Sequence, residues 1–192
     1  MRAPECVRRS ADGRLGLVTS SIARRVYEAC HVTGSFRLRS GQVSGDYFDK
    51  YLFEGRPDLL REVAGVMVGL LPAECEVLAG MEMGGIPIAT VMSQLTGLPT
   101  VFVRKKAKEY GTAKVAEGGP TAGRRVVLVE DVVTTGGALL ESCRHLRAAG
   151  AEVDWAVCAI DREQGGRANL AAGSIELRAA LTRHDLESAM RA

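Results

Sequence analysis

The chain has 192 residues, 46% hydrophobic and 25% charged, which suits one compact domain with a sizeable core and leaves little room for two. Lys plus Arg number 25 against 23 Asp plus Glu, a net charge of +2, so no global field argues for nucleic acid or an anionic membrane, and any anion site has to be local. Cys6, Cys30, Cys75, Cys143 and Cys158 are scattered without a CxxC pair, which disfavours a disulfide framework and a zinc site; no apolar run approaches the roughly 20 residues of a membrane span, and Met1-Arg-Ala-Pro-Glu lacks a signal peptide's apolar region. A cytoplasmic chain is expected, with no nucleic acid and no membrane as partner.

Residues 1–20 match no pattern and are expected as a mobile extension. From Ile22 to His31 the spacing of Ile22, Val26 and Ala29/Cys30 predicts a helix with Gly34 at its exit. Phe36 to Phe48 alternates, is broken by Gly41 and Gly45, and predicts a hairpin. A helix is predicted from Pro57 through Leu59, Leu60, Val63, Met67 and Leu70, stopped by Pro72. Next come a short strand at Val77–Gly80, a helix from Ile86 to Thr96 closed by Gly97, and a strand at Thr100–Val103. The unit recurs as a buried strand from Arg125 to Asp131, a helix from Ala138 to Ala149 capped by Gly150, and a strand from Val153 to Ile160. Alternating strands and helices predict an α/β fold, a parallel twisted sheet flanked by helices on both faces. Ligands bind such sheets beyond the strands' carboxyl ends, here the loops after Ala79, Val103, Asp131 and Ile160.

The densest chemical signal is Val126-Val-Leu-Val-Glu130-Asp131-Val132-Val133-Thr134-Thr135-Gly136-Gly137-Ala138. Four apolar residues end in two carboxylates, and a turn of small residues leads into a helix, so backbone N–H groups and the helix dipole converge on one anion position. Two carboxylates beside a phosphate repel it unless cations or sugar hydroxyls intervene, and a ribose diol with Mg²⁺ supplies both. Neither the Gly-Lys-Ser/Thr of a triphosphatase loop nor a GxGxxG after a strand is present. Taken alone, the pattern also suits a plain strand-end turn with solvated acids.

The two acids followed by Thr-Thr-Gly-Gly-Ala resemble the binding signature of the type I phosphoribosyltransferases. The resemblance implies that Glu130 and Asp131 contact the ribose hydroxyls of phosphoribosyl diphosphate, that residues Val132 to Ala138 hold its 5-phosphate, and that Mg²⁺ is the cofactor, with no direct protein ligand assigned to the metal.

Three further segments are similar to the orotate branch of that superfamily. Arg104-Lys105-Lys106-Ala107-Lys108-Glu109-Tyr110-Gly111 follows a predicted strand and matches its catalytic lid, in which Arg104, Lys105 and Lys108 meet the diphosphate and Tyr110 stands where many relatives have His. That lid reaches the neighbouring subunit's site, so the resemblance implies a homodimer sharing the Arg104–Tyr110 loop. Arg39-Ser-Gly and the pair Tyr47-Phe48 resemble a small N-terminal hood, about residues 21–55 of one domain spanning 1–192, that lines the base pocket. Arg162, in Asp161-Arg162-Glu163-Gln164-Gly165, matches the arginine that pairs with the carboxylate of orotate, bidentate recognition to which a guanidinium is suited. Gly84 stands where many members carry a lysine directed at the diphosphate.

The implied reaction joins orotate to the phosphoribosyl group in the de novo pathway to UMP, giving orotidine 5'-monophosphate and diphosphate. Lys105, Glu130 and Asp131 are expected as the catalytic groups, and Thr134 with Arg162 as those that orient the base. Two alternatives stay open: transfer to another base, which needs no carboxylate partner such as Arg162 or Arg39, and a non-catalytic sensor of phosphoribosyl diphosphate, which needs no lid cations.

Overall fold

The computed structural model describes residues 14–37, 41–105 and 116–191. The first helix, α1, spans Arg14–Cys30 and starts eight residues earlier than its apolar spacing indicates, so residues 14–20, expected in an extension, are helical. The chain passes directly from Cys30 into β1 (His31–Arg37), which pairs antiparallel with β2 (Val43–Phe48) as the expected hairpin. Gly34 and Gly45 lie inside these strands, and Gly34 therefore does not mark the helix exit. A short helix α2 (Tyr51–Glu54) follows, then α3 (Pro57–Val68) with proline in its first turn.

The rest is a six-stranded sheet: β3 (Val77–Met81), β4 (Thr100–Val103), β5 (Ala116–Glu117), β6 (Arg125–Val133), β7 (Glu152–Asp161) and β8 (Glu176–Thr182), ordered β5-β4-β3-β6-β7-β8. All neighbouring pairs are parallel except β4 with β5. The connecting helices are α4 (Gly85–Thr96), α5 (Gly137–Ala148), α6 (Gly166–Ala172) and α7 (Arg183–Ala189). Helix α2, strand β5, helix α6, strand β8 and helix α7 are additions to the elements read from the sequence.

Alternation along the strands assigns side chains to two cores. Val127 and Val129 of β6 pack with Ile88, Ala89 and Met92 of α4 and with Leu59, Val63 and Met67 of α3. Val126 and Leu128 face the opposite layer, with Leu139, Cys143 and Leu146 of α5 and Leu170 of α6. Cys30, Cys143 and Cys158 are free and buried as small apolar groups.

Chain direction across the sheet changes between β3 and β6, because β3 connects outward to β4 while β6 connects the other way to β7. Such a switch point leaves a crevice at the carboxyl ends of the two strands. Helix α7 begins at the carboxyl end of the edge strand β8 with a capping box: the Thr182 hydroxyl accepts from the Asp185 N–H at 3.1 Å, and the Asp185 carboxylate accepts from the Thr182 N–H at 2.7 Å. Among the described residues no helix is long and apolar enough to cross a membrane.

Candidate active site

Strand β6 delivers Glu130 and Asp131 to the crevice, and the chain then turns through Thr134 and Thr135 into α5. Gly136 makes the last step of that turn at φ +76°, a left-handed conformation natural to glycine, and its carbonyl accepts the Leu140 N–H at 3.0 Å in the first turn of α5. Thr134, Thr135, Gly137 and Ala138 are exposed, so the helix N-terminus and its free N–H groups face solvent as an anion site requires. The turn is braced from outside by Asn169, whose side-chain amide donates to the Thr135 carbonyl at 3.0 Å.

Asp131 is only 1% exposed. Its Oδ1 accepts the Val132 N–H at 2.5 Å, and its own N–H donates to Glu130 Oε1 at 3.1 Å. Its Oδ2 is ion-paired with the ammonium of Lys50, which arrives from the segment between β2 and α2. The same carboxylate lies against the loop after β3: a Cβ placed on Gly84 would sit 1.7 Å from Asp131 Oδ2. A lysine side chain has no room at position 84 while Asp131 is so placed. The loop carries a cis peptide between Glu82 and Met83.

Glu54 of α2 completes the cluster at 9% exposure. Burial, followed by the adjacent Asp131 charge, pushes its carboxyl up to about 8. Glu130 is also raised well above the ordinary range, by burial first and then by its hydrogen bond to Asp131. For Asp131 burial acts upward, but the hydrogen bonds from Glu130 and Lys50 outweigh it and hold the group below the usual value. Lys50 mirrors this, since burial acts downward and Asp131 more than offsets it. The directions agree with an ionised Asp131–Lys50 pair beside which Glu54 and Glu130 are both shifted toward their protonated forms.

The hood and the β7 end enclose a neighbouring cleft of about 570 Å³ lined by Tyr27, His31, Asp46, Tyr47, Phe48, Arg162, Arg183, Leu186 and Glu187. Arg162 leaves β7 with its N–H donated to the Val133 carbonyl at 2.9 Å, which ties the arginine loop to the end of β6. Its guanidinium lies 5.7 Å over the Phe48 ring, and its buried Nε has no hydrogen-bond partner among the described residues. Tyr47 stacks on Phe36 at 5.4 Å and is 45% exposed, so it does not serve as core packing. The cleft walls are fixed by His31 with Asp46 at 3.0 Å and Arg183 with Glu187 at 2.6 Å.

The structure therefore gathers Glu130, Asp131, the 132–138 turn, Arg162, Tyr47 and Phe48 at one end of the sheet. Arg104 and Lys105 stand at the end of β4, two strands or about 10 Å from β6. The Lys105 N–H is held by Glu82 Oε2 at 3.0 Å, and Arg104 approaches Glu117 at 4.0 Å. Arg39, Lys108 and Tyr110 lie outside the described residues. Lys50 and Glu54 escaped the sequence reading, although their i, i+4 spacing beside the aromatic pair places both on one side of a helical turn.

The buried cluster has a measurable consequence. An unfolded glutamate releases its proton near its ordinary value of 4.5 whereas native Glu54 keeps its proton to about 8, so stability falls as pH rises between these limits. Glu54→Gln keeps a donor toward Asp131 and removes the titration. Thermal unfolding should place the variant above the wild-type midpoint at pH 8.5, by roughly 2–4 °C for each 1 kcal/mol relieved, and the gap should close toward pH 5.

Residues 57–172, more than half of the chain, match the phosphoribosyl transferase domain family. The chain is 56% identical over 173 residues to an orotate phosphoribosyltransferase of Nocardioides sp., covering 90% of this chain and 97% of the relative. It is 44% identical over 153 residues to an orotate phosphoribosyltransferase of Methanocella arvoryzae, covering 80% and 87% respectively. A crystal structure of Mycobacterium tuberculosis H37Rv orotate phosphoribosyltransferase superimposes with a TM-score of 0.80 at 27% identity, over 88% of this chain and 98% of that one. With the signature loop at the sheet's switch point and relatives this similar over nearly their whole length, the chain belongs to the orotate phosphoribosyltransferases of the phosphoribosyl transferase domain family.

Proposed function

We propose that this chain transfers the phosphoribosyl group of 5-phospho-α-D-ribose 1-diphosphate to orotate, giving orotidine 5'-monophosphate and diphosphate in pyrimidine biosynthesis. The single observation that carries the choice of base is Arg162: a guanidinium at the wall of an aromatic cleft, with a buried Nε lacking a partner among the described residues. An unpartnered buried donor is costly unless a ligand completes it, and a planar carboxylated base does so.

The residues divide the work by position. The exposed turn from Val132 to Ala138 receives the 5-phosphate on backbone N–H groups at the start of α5. Glu130 and Asp131 receive the ribose hydroxyls, with Thr134 between phosphate and base. Arg162, Tyr47 and Phe48, with Arg39 from the hood, hold orotate. Ring nitrogen of orotate forms a bond to the anomeric carbon as the bond to diphosphate breaks; the leaving group takes the electron pair and the nitrogen's proton is released. Positive charge develops on the sugar, and the Asp131 carboxylate that holds its hydroxyls stabilises that charge in a water-poor setting. Arg104, Lys105, Lys108 and Tyr110 close on the diphosphate and exclude water.

Mg²⁺ fits this donor set in a limited way. Among the described residues no group of three or more His, Cys, Asp or Glu is placed to hold a metal ion, so a magnesium ion would arrive with the substrate's oxygens, with the hard carboxylate oxygens of Glu130 and Asp131 as the nearby protein groups suited to it. When bound, the ion neutralises charge on the diphosphate.

We further propose a homodimer in which the Arg104–Tyr110 lid serves the partner's site, and a cytoplasmic location, which the free thiols of Cys30, Cys75, Cys143 and Cys158 suit.

Orotate, uracil, adenine and hypoxanthine offered in parallel with phosphoribosyl diphosphate and Mg²⁺ should show turnover of orotate alone; turnover of another base without orotate would reject the assignment. Arg162→Ala should raise the orotate KM about tenfold or more and leave the phosphoribosyl diphosphate KM within about twofold. For the shared lid, mixed Lys105→Ala and Asp131→Asn dimers should recover activity that neither parent has, and no recovery would mean that the loop serves its own subunit.

A further inference from the structure

We propose that Lys50 is a substrate-binding residue of this chain, which holds Asp131 while the site is empty and turns to the diphosphate of phosphoribosyl diphosphate when the ribose hydroxyls take its place. The inference rests on the function proposed above and adds a residue to its binding machinery.

Four features of the site meet in Lys50. Its ammonium closes over the Oδ2 of a carboxylate only 1% exposed, so a ribose hydroxyl can reach that oxygen only if the lysine yields. The lysine side chain itself is one-third exposed, so its ammonium is not locked in the interior. The paired oxygen sits where a Cβ on Gly84 would be, 1.7 Å away, so the Lys50 ammonium and the loop after β3 share the same corner of the crevice. That corner cannot receive a cation from position 84, because Asp131 fills the space a side chain there would need. Finally, Glu54 and Glu130 crowd the same carboxylate, leaving Lys50 as the cation that balances the cluster among the described residues.

An ammonium on a four-carbon stem with three donors suits such an exchange, since it can pivot without moving the backbone. When sugar hydroxyls donate to Asp131, they replace the hydrogen bond that Lys50 supplied. The freed ammonium then lies beside the loop at Glu82–Gly85 and faces incoming phosphate oxygens. The position in sequence also couples the two substrates, because Lys50 lies two residues after Phe48, which with Tyr47 lines the base cleft.

The test uses full-length Lys50→Met, Lys50→Arg and Asp131→Asn, with equilibrium binding of phosphoribosyl diphosphate and of ribose 5-phosphate, which lacks the diphosphate, measured separately by calorimetry with Mg²⁺ present. Lys50→Met should weaken phosphoribosyl diphosphate about tenfold or more and leave ribose 5-phosphate within about twofold, with Lys50→Arg recovering part of the loss. Steady-state kinetics should show the same split, a raised KM for phosphoribosyl diphosphate against a nearly constant KM for orotate. Equal weakening of both ligands would make Lys50 only a support for Asp131 and overturn the proposal, as would no change in either. Asp131→Asn separates this from failure of the site itself: if it leaves phosphoribosyl diphosphate binding intact, the ribose site has been misplaced, whereas if it weakens both ligands while Lys50→Met weakens neither, only the role of Lys50 falls.

Discussion

The site depends on one buried carboxylate. Asp131 sits at the carboxyl end of β6, where the sheet reverses its order of connection, and it is held from three sides: by its own strand through the Val132 N–H, by the glycine loop after β3, and by Lys50 from the hood. Each side belongs to a different part of the chain. The ion pair therefore joins the hood to the sheet at the place proposed to receive the substrate's sugar, and the desolvated charge there is offset by its counter-ion and hydrogen bonds.

Seen from that carboxylate, the surrounding parts fall into an order set by the sheet. The turn proposed to bind the 5-phosphate follows it at the end of the same strand, and the cleft proposed for the base stands one strand away, where the Arg162 N–H is tied to the Val133 carbonyl. The cations of the lid begin two strands away on the other side, across the loop that carries Glu82. A molecule with a phosphate at one end, a sugar in the middle and a diphosphate at the other end fits that sequence of sites. The upward shifts of Glu54 and Glu130 favour their protonated forms and so limit the repulsion that three adjacent carboxylates would otherwise present to a polyanionic substrate.

Much of this was legible in the sequence because the relevant signals were local. The apolar runs of β3, β4, β6 and β7, with glycines closing α4 and preceding α5, pointed to the parallel sheet, and Thr134-Thr-Gly-Gly to the turn from β6 into α5. What escaped depended on partners distant in sequence or on very short elements. Strand β8 includes Arg178, which reads as polar until it is seen stacked 4.0 Å over Trp155. Helix α7 had a legible start in Thr182 and Asp185, but only seven residues follow it. Lys50 was unreadable as a site residue, since its meaning comes from Asp131 on another element. Gly84 was read as a lost lysine, and the geometry gives it a positive reason: only glycine leaves space for the carboxylate.

The most direct measurement is a crystal structure of the protein with phosphoribosyl diphosphate, Mg²⁺ and orotate bound under conditions that prevent turnover. The account requires the ribose hydroxyls on Glu130 and Asp131, the 5-phosphate within the 132–138 turn, the orotate carboxylate on Arg162, and Lys50 drawn from Asp131 to a diphosphate oxygen. A ribose seated away from Asp131, with the Lys50 pair intact, would contradict it.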